Sequence, residues 1–423
     1  MPPSELGDSC KFEYIRSYLT KTQTKTGQVQ VKHGKYYARN EDEQHHMSKA
    51  RKTHKIAGEF RMRQGVLHDA EVAYETWGEL NEERDNAILL FTGLSPSAHA
   101  ASSADDPSSG WWEPMLGPSK PIDSNKYFII CVNSLGSCFG STGPASVDPE
   151  TNRHYRLTFP VLTIEDIASA GQSVIEGLRI TRLHAVVGAS MGGMTALAHN
   201  LLYPKAADAL VCISSAARAL PFSIALRSLQ REMVRSDSAW KDGQYNFNEP
   251  PVIGQRLARK LGMLTYRSAG EFEQRFARER VAEERQGGDP FGIDFEVESY
   301  LEAHATKFIG TFDANCYLYL SRAMDLFDAA DHGGSLDIAL ARAGASRAMI
   351  VGVETDILFP IDQQRELADG LAKGRMDVQF ESLPSLQGHD AFLVDMDRFR
   401  PVLCNFFNCD MEEDKTVTKI RGV

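Results

Sequence analysis

The spacing of apolar residues changes character several times along the chain, and each change predicts an element. GEFRMRQGVLHDAEVAYETWGEL, from Gly58, alternates in short runs and predicts antiparallel strands with a turn near His68 and Asp69. NAILLFTGL (86–94) and KYFIICVN (126–133) are continuous apolar runs, as expected of strands buried on both faces. Ile164, Ile167, Val174, Ile175 and Leu178 recur at helical spacing and predict a helix over 164–180. LHAVVGAS (183–190) predicts a strand running into a sharp turn, MGGMTALAHNLLY (191–203) a helix, and DALVCIS (208–214) the next strand. A strand in SRAMIVGVETD (346–356), a helix near 361–372, the strand MDVQFESLP and a last helix after His389 complete the pattern. Strands that alternate with helices predict an α/β fold with a mostly parallel sheet flanked by helices.

Three stretches depart from that alternation. Residues 1–57 are polar, dense in Lys, His, Gln and Thr, and are expected to be a poorly ordered extension. Their His45-His46 pair lacks further ligands at metal spacing and reads as a solvated tail. Residues 216–334 are helical and charged, without a strong strand signal, and read as an inserted lid. The expected division is therefore a core over 58–215 and 335–410, a lid over 216–334 and a tail over 411–423. The Gly/Ser/Pro-rich loop 95–123 is long for a compact domain, and Trp111 and Trp112 imply that it packs.

Composition narrows the class. Hydrophobic residues make up 42% and the formal charge is -11, which fits a soluble globular protein and disfavours nonspecific nucleic-acid or anionic-membrane binding. No apolar run is long enough for a spanning helix. The N-terminus lacks the apolar core of a signal peptide, and a cytoplasmic location is expected. The seven cysteines show no CxxC pair and read as free thiols.

The chemistry is carried by Val187-Gly188-Ala189-Ser190-Met191-Gly192-Gly193, a G-x-S-x-G motif between a predicted strand and a predicted helix. At such a turn the serine hydroxyl is pushed out at the C-terminal edge of the sheet, against a helix N-terminus that favours developing negative charge. A nucleophilic serine needs a base, and the base an orienting acid, in the order Ser, acid, His on this kind of fold. His389 follows the last predicted strand and is the single histidine beyond Asp356. Asp356 ends the strand IVGVETD and is the candidate acid, with Glu354 its nearest competitor. Two backbone N–H groups should face the developing oxyanion: Met191, after the nucleophile, and Leu94, after an early strand. His99 precedes the serine and reads as a pocket or packing residue.

Several segments extend this reading. GASMGGMTAL, GWWEPMLGPSKPIDSNKYFIICVNSLGSCFGSTGPAS, FPVLTIEDI, ARKLGMLTYRS, FDANCYLYLSRAMDLFD and GHDAFLVD, in this order over residues 58–410 apart from the first, together resemble the homoserine O-acetyltransferase family. The resemblance implies an α/β-hydrolase fold with a helical lid and a ping-pong acyl transfer from acyl-CoA to an amino-acid hydroxyl. Ser190 would carry the acyl group, His389 would act as base and Asp356 would orient it. By motif, Arg259 would face the acceptor's carboxylate and Asp390 its ammonium. No metal or bound cofactor is implied, acyl-CoA being a co-substrate, and relatives associate as homodimers through the lid.

Thr92-Gly93-Leu94-Ser95-Pro96-Ser97-Ala98-His99 departs from the family's usual H-A-L-T-G-x-x-H form. The loop Ser95, Pro96, Ser97, Ala98 and His99 looks more like the branch that succinylates L-serine for cysteine synthesis. Succinyl would need a cation for its free carboxylate, for which Arg218 and Arg227 are available. Homoserine O-acetyl- or O-succinyltransferase and serine O-acetyltransferase are the alternatives within the class. An esterase or thioesterase is the alternative outside it.

Overall fold

The computed structural model describes residues 47–283 and 288–408. Eight strands build the main sheet: β1 (Lys52–Lys55), β2 (Glu71–Trp77), β3 (Ala87–Phe91), β4 (Phe128–Val132), β5 (Leu183–Ala189), β6 (Ala207–Ile213), β7 (Arg347–Val353) and β8 (Asp377–Leu383). Their order is β1-β2-β4-β3-β5-β6-β7-β8. The first two pairings, β1 with β2 and β2 with β4, are antiparallel, and every later one is parallel. Every residue of β3 is buried, and β5 and β6 are buried at all but one position each, so the middle of the sheet reads as unbroken apolar runs.

The chain enters this sheet earlier than its pattern implied. Lys52–Lys55 pairs along β2, so the expected boundary at residue 57 falls beyond the first strand. The segment KTHK is an edge strand that is exposed at three of its four residues, so it has no apolar face to announce it. The alternating stretch after Gly58 forms a hairpin, Glu59–Met62 with Gly65–His68, which turns through Asp69 into β2. The His45-His46 pair and the tail 411–423 lie outside the described residues.

Two apolar layers sandwich the sheet. One joins the helices Ile164–Gly177 and Met191–Leu202 to residues such as Phe91 and Leu210; the other joins Trp112, Leu116 and the last helix, Met396–Phe407, to Leu90 and Val187. Trp112 is fully buried and donates its indole N–H to the carbonyl of Phe392, so the 95–123 loop is a packed wall. Between β6 and β7 the chain forms helices Pro221–Arg235, Val252–Tyr266, Ala269–Phe276, Glu296–Phe308, Ala314–Leu326 and Leu336–Ala341, which contribute no strand to the sheet. Cys131, Cys212 and Cys316 are free and buried and Cys138 is free and half-buried, whereas Cys404 is disulfide-bonded. No helix among the described residues is long and apolar enough to cross a membrane.

Candidate active site

Ser190 follows the last residue of β5 in a conformation that side chains rarely adopt, φ 56° and ψ -124°, and the helix Met191–Leu202 begins at the next residue. Its own N–H donates to the carbonyl of Ile213 at 2.9 Å, which ties the turn to β6. The neighbouring glycines are demanded by space. A Cβ on Gly188 would stand 2.0 Å from the carbonyl oxygen of Gly192, and one on Gly192 would stand 2.3 Å from that of Phe91. Backbone therefore passes backbone on both sides of Ser190. As the first residue of its helix, Met191 has an N–H without an intrahelical acceptor, beside the positive end of the helix dipole.

His389 lies on the short turn Gly388–Asp390, between β8 and the helix Ala391–Val394. Gly388 sits at φ 66°, and a Cβ there would come within 2.8 Å of the Arg267–Ser268 backbone. The glycine thus lets this turn press against the end of the helix Val252–Tyr266. His389 Nε2 is 2.8 Å from Ser190 Oγ, and its Nδ1 is 2.7 Å from Asp356 Oδ2. The other carboxylate oxygen of Asp356 accepts the N–H groups of Leu358 (2.8 Å) and Phe359 (3.0 Å). Both Asp356 and His389 are buried. Burial opposes the imidazolium, but the Asp356 carboxylate outweighs it, and His389 is held above its ordinary pKa. Glu354 is exposed and accepts a hydrogen bond from Ser382 Oγ at 3.3 Å, so the hydrogen-bonded chain runs through Asp356. The rings of Phe359, Phe392 and Tyr266 surround the imidazole, with centroids at 5.3, 5.7 and 6.1 Å.

A narrow pocket joins the lid helices to Leu94, with Arg259, Tyr266, Phe308 and Tyr317 among its lining. The Arg259 guanidinium lies 4.5 Å from the Phe308 ring centre and 5.8 Å from that of Tyr266. Its Nε is buried with no hydrogen-bond partner among the described residues. Asp390 is already placed against a cation, with Oδ2 3.6 Å from Arg267 Nε. Burial pushes its carboxyl upward, and Arg267, His389 and Arg259 pull it back. The loop Leu94–His99 begins beside the nucleophile: a Cβ on Gly93 would stand 3.9 Å from the carbonyl of Ala189. Its Ser95, Pro96 and Ser97 are half-buried and Ala98 is buried.

The two arginines considered for a donor carboxylate part company. Arg218 is paired with Glu366 at 2.8 Å and faces the helix Ile361–Lys373. Arg227 is buried, its Nε 2.6 Å from Asp325 Oδ1, and its Nη2 has no hydrogen-bond partner among the described residues. Its charge acts on His389, Tyr266 and Tyr317. Sequence reasoning could not place it, because it shares the buried side of its helix with Ser223, Gln230 and Val234, a mainly polar face that hydrophobic spacing does not reveal. No group of three or more His, Cys, Asp or Glu side chains that could hold a metal occurs among the described residues.

Known proteins are similar to this chain over most of its length. Residues 86–395 match the model of the alpha/beta hydrolase fold. A serine O-succinyltransferase from Litchfieldella anticariensis is 56% identical over 362 residues, which is 85% of this chain and 99% of that protein. The chain belongs to the homoserine O-acetyltransferase family, in its serine O-succinyltransferase-like branch. A second member of the branch, the serine O-succinyltransferase of Xanthomonas campestris pv. campestris strain B100, is 54% identical over 355 residues, 81% of this chain and 93% of that one. Among solved structures, the homoserine O-acetyltransferase from Bacillus anthracis superposes with a TM-score of 0.79 at 28% identity, over 86% of this chain and 98% of that one. Esterase E22 superposes with a TM-score of 0.77 at 26% identity, over 84% and 99%.

Proposed function

We propose that the protein transfers a succinyl group from succinyl-CoA to the hydroxyl of L-serine, giving O-succinyl-L-serine and free CoA. One observation carries the reading. A Ser–His–Asp chain stands beside two arginines, Arg227 and Arg259, each with a buried N–H that no group among the described residues accepts. Serine and the succinyl group each bring one carboxylate, and an arginine fork suits each of them. Water brings none, which counts against the esterase reading, and an acetyl group would leave Arg227 Nη2, the part of the guanidinium that Asp325 does not engage, without an acceptor.

In this mechanism Ser190 Oγ attacks the thioester carbonyl while His389 Nε2 takes its proton. The N–H groups of Met191 and Leu94 face the oxyanion. The C–S bond then breaks, His389 returns the proton to the CoA sulfur, and succinyl-Ser190 remains. The amino-acid hydroxyl next attacks that ester, with His389 again accepting the proton, and His389 passes it to Ser190 Oγ as the bond between the succinyl carbonyl carbon and Oγ breaks. Asp356 keeps the imidazole in the productive tautomer. Arg259 holds the acceptor's carboxylate, Asp390 its ammonium, and Arg227 the succinyl carboxylate. No metal or bound cofactor takes part.

The product is an activated serine of the kind that cysteine synthesis consumes, in the cytoplasm. The protein works as a homodimer through the lid. Phe222 and Leu229 on one lid helix, and Ile253, Leu257 and Leu264 on the adjoining one, are exposed apolar side chains that a second copy would cover. The test of the activity is thiol release with succinyl-CoA or acetyl-CoA crossed with L-serine or L-homoserine. A dominant succinyl-CoA and serine rate is expected. A dominant homoserine rate replaces the acceptor, and release that ignores both amino acids makes the protein a hydrolase.

A further inference from the structure

His99 ends the loop that begins beside the nucleophile, and its ring is held at both nitrogens. Nδ1 lies 3.0 Å from Glu75 Oε2, and Nε2 lies 2.9 Å from the carbonyl oxygen of Ser108 and 3.2 Å from Ser108 Oγ. The carboxylate and the carbonyl both accept, and the Ser108 hydroxyl gives its proton to Asp106 Oδ1 at 2.6 Å, so both ring nitrogens are placed to donate. The Glu75 side chain is 2% exposed and that of His99 11%. A carboxylate buried this deeply needs a cation, so the two groups are kept or lost together. Elsewhere in the loop the tethers are neutral. Asn133 Nδ2 donates to the carbonyl of Pro96 at 3.4 Å, Trp111 Nε1 to that of Ser97 at 3.1 Å, and the Trp111 backbone N–H to that of His99 at 3.2 Å. His99 adds a charged tether at the end of the loop, anchored in β2.

We propose that His99 is a positioning residue: as an imidazolium clamped between Glu75 and the Ser108 carbonyl, it pins the loop Leu94–His99 to the sheet and so sets which amino acid is accepted. The clamp rests on geometry, and its effect on the acceptor rests on the acyltransferase reading above.

The charged groups that act on His99 are Glu75, from β2, and Asp106, from the loop that also carries Ser108. The Glu75 hydrogen bond, against the cost of burial, holds the ring above its ordinary pKa. Cys131, opposite Glu75 in register on β4, is driven far upward by burial and stays a thiol. The clamp is therefore complete below the ordinary imidazole range. It is lost as pH rises through the raised value, because a neutral ring keeps one N–H for two acceptors.

Two experiments test this on the full chain. In 15N-histidine NMR spectra, the His99 ring is expected to stay doubly protonated above the titration of an ordinary imidazole. A neutral His99 ring at neutral pH would overturn the proposal. In kinetics, His99→Ala is expected to lower kcat/KM for the amino acid about 10- to 100-fold. It should also bring the serine-to-homoserine ratio toward one while the burst of thiol release keeps its amplitude. Glu75→Gln can donate to a neutral ring and preserve both contacts, so it should keep the discrimination and abolish its loss at alkaline pH. An unchanged ratio in a cooperatively melting His99→Ala protein overturns the proposal. Absence of any amino-acid-dependent thiol release in the wild type would defeat the acyltransferase reading alone, with the NMR titration still deciding whether the clamp exists.

Discussion

The ends of the central strands and the helical insertion meet over Ser190, but they are built by opposite rules. On the sheet side, position is set by backbone: glycines at 188 and 192 let the chain cross itself, and a nearly all-apolar β5 and β6 lock the turn. On the lid side, position is set by polar groups facing inward. Arg227 and Arg231 share Asp325 at 2.6 and 2.7 Å, and Gln230 and Gln255 donate to the carbonyls of Ala258 and Phe312. Apolar side chains lie outward instead on two of the lid helices, at Phe222, Leu229, Ile253, Leu257 and Leu264. In the function proposed above, the sheet side holds the reacting groups and the acceptor loop, and the lid supplies the charges that meet the substrates' carboxylates.

Substitutions on the two sides should separate these roles. The largest effect belongs to the sheet: Ser190→Ala is expected to lower kcat by about 10⁴-fold or more, with the fold retained, measured as thiol release. On the lid, Arg259→Met is expected to lower kcat/KM for the amino acid by about 10²- to 10³-fold, because a buried carboxylate loses its charged donor. Its burst of CoA release should persist; loss of the burst would show that the lid also controls acylation. Arg227→Met should cost roughly 10-fold or more with succinyl-CoA and little with acetyl-CoA, an inference from the same charged-donor argument. Arg231 still accompanies Asp325 in that variant, so the melting temperature should fall only modestly.

The pH profile tests His389, on which burial, Asp356 and the lid's Arg227 all act. Catalysis needs the neutral form of His389, and Asp356 holds its pKa above the ordinary 6.5. The rate of acylation should therefore rise with pH through a midpoint above that value. A midpoint below it would mean that burial, rather than Asp356, dominates. The smallest effect is expected for Glu354→Gln, within about twofold of wild type, as for an ordinary surface substitution.

The same division explains what could be read from the chain. His389, past the mostly half-exposed β8, is legible only as the single histidine beyond Asp356, whereas Ser190 and Asp356 are legible because each follows an unbroken apolar strand. The parallel strands are legible for the same reason. Lys52–Lys55 is not, since an edge strand exposed on both sides has the composition of a tail. Arg227 and Arg218 are indistinguishable as text: both lie near the start of the lid, and only packing turns one inward toward Tyr266 and the other outward toward Glu366. The partnership of His99 with Glu75 spans 24 residues and a strand pairing, so neither residue announces the other.

The edge strand Lys52–Lys55 bears on how the protein can be shortened. Its four residues cover one side of the strand that carries Glu75. A version trimmed at residue 57 would leave that side with a row of unpaired N–H and C=O groups, open to pairing with other molecules. Trimming before Lys52 would leave the pairing in place. The harm from the deeper cut would appear as turbidity on storage and as faster amide hydrogen exchange along Glu71–Trp77, long before any loss at Ser190.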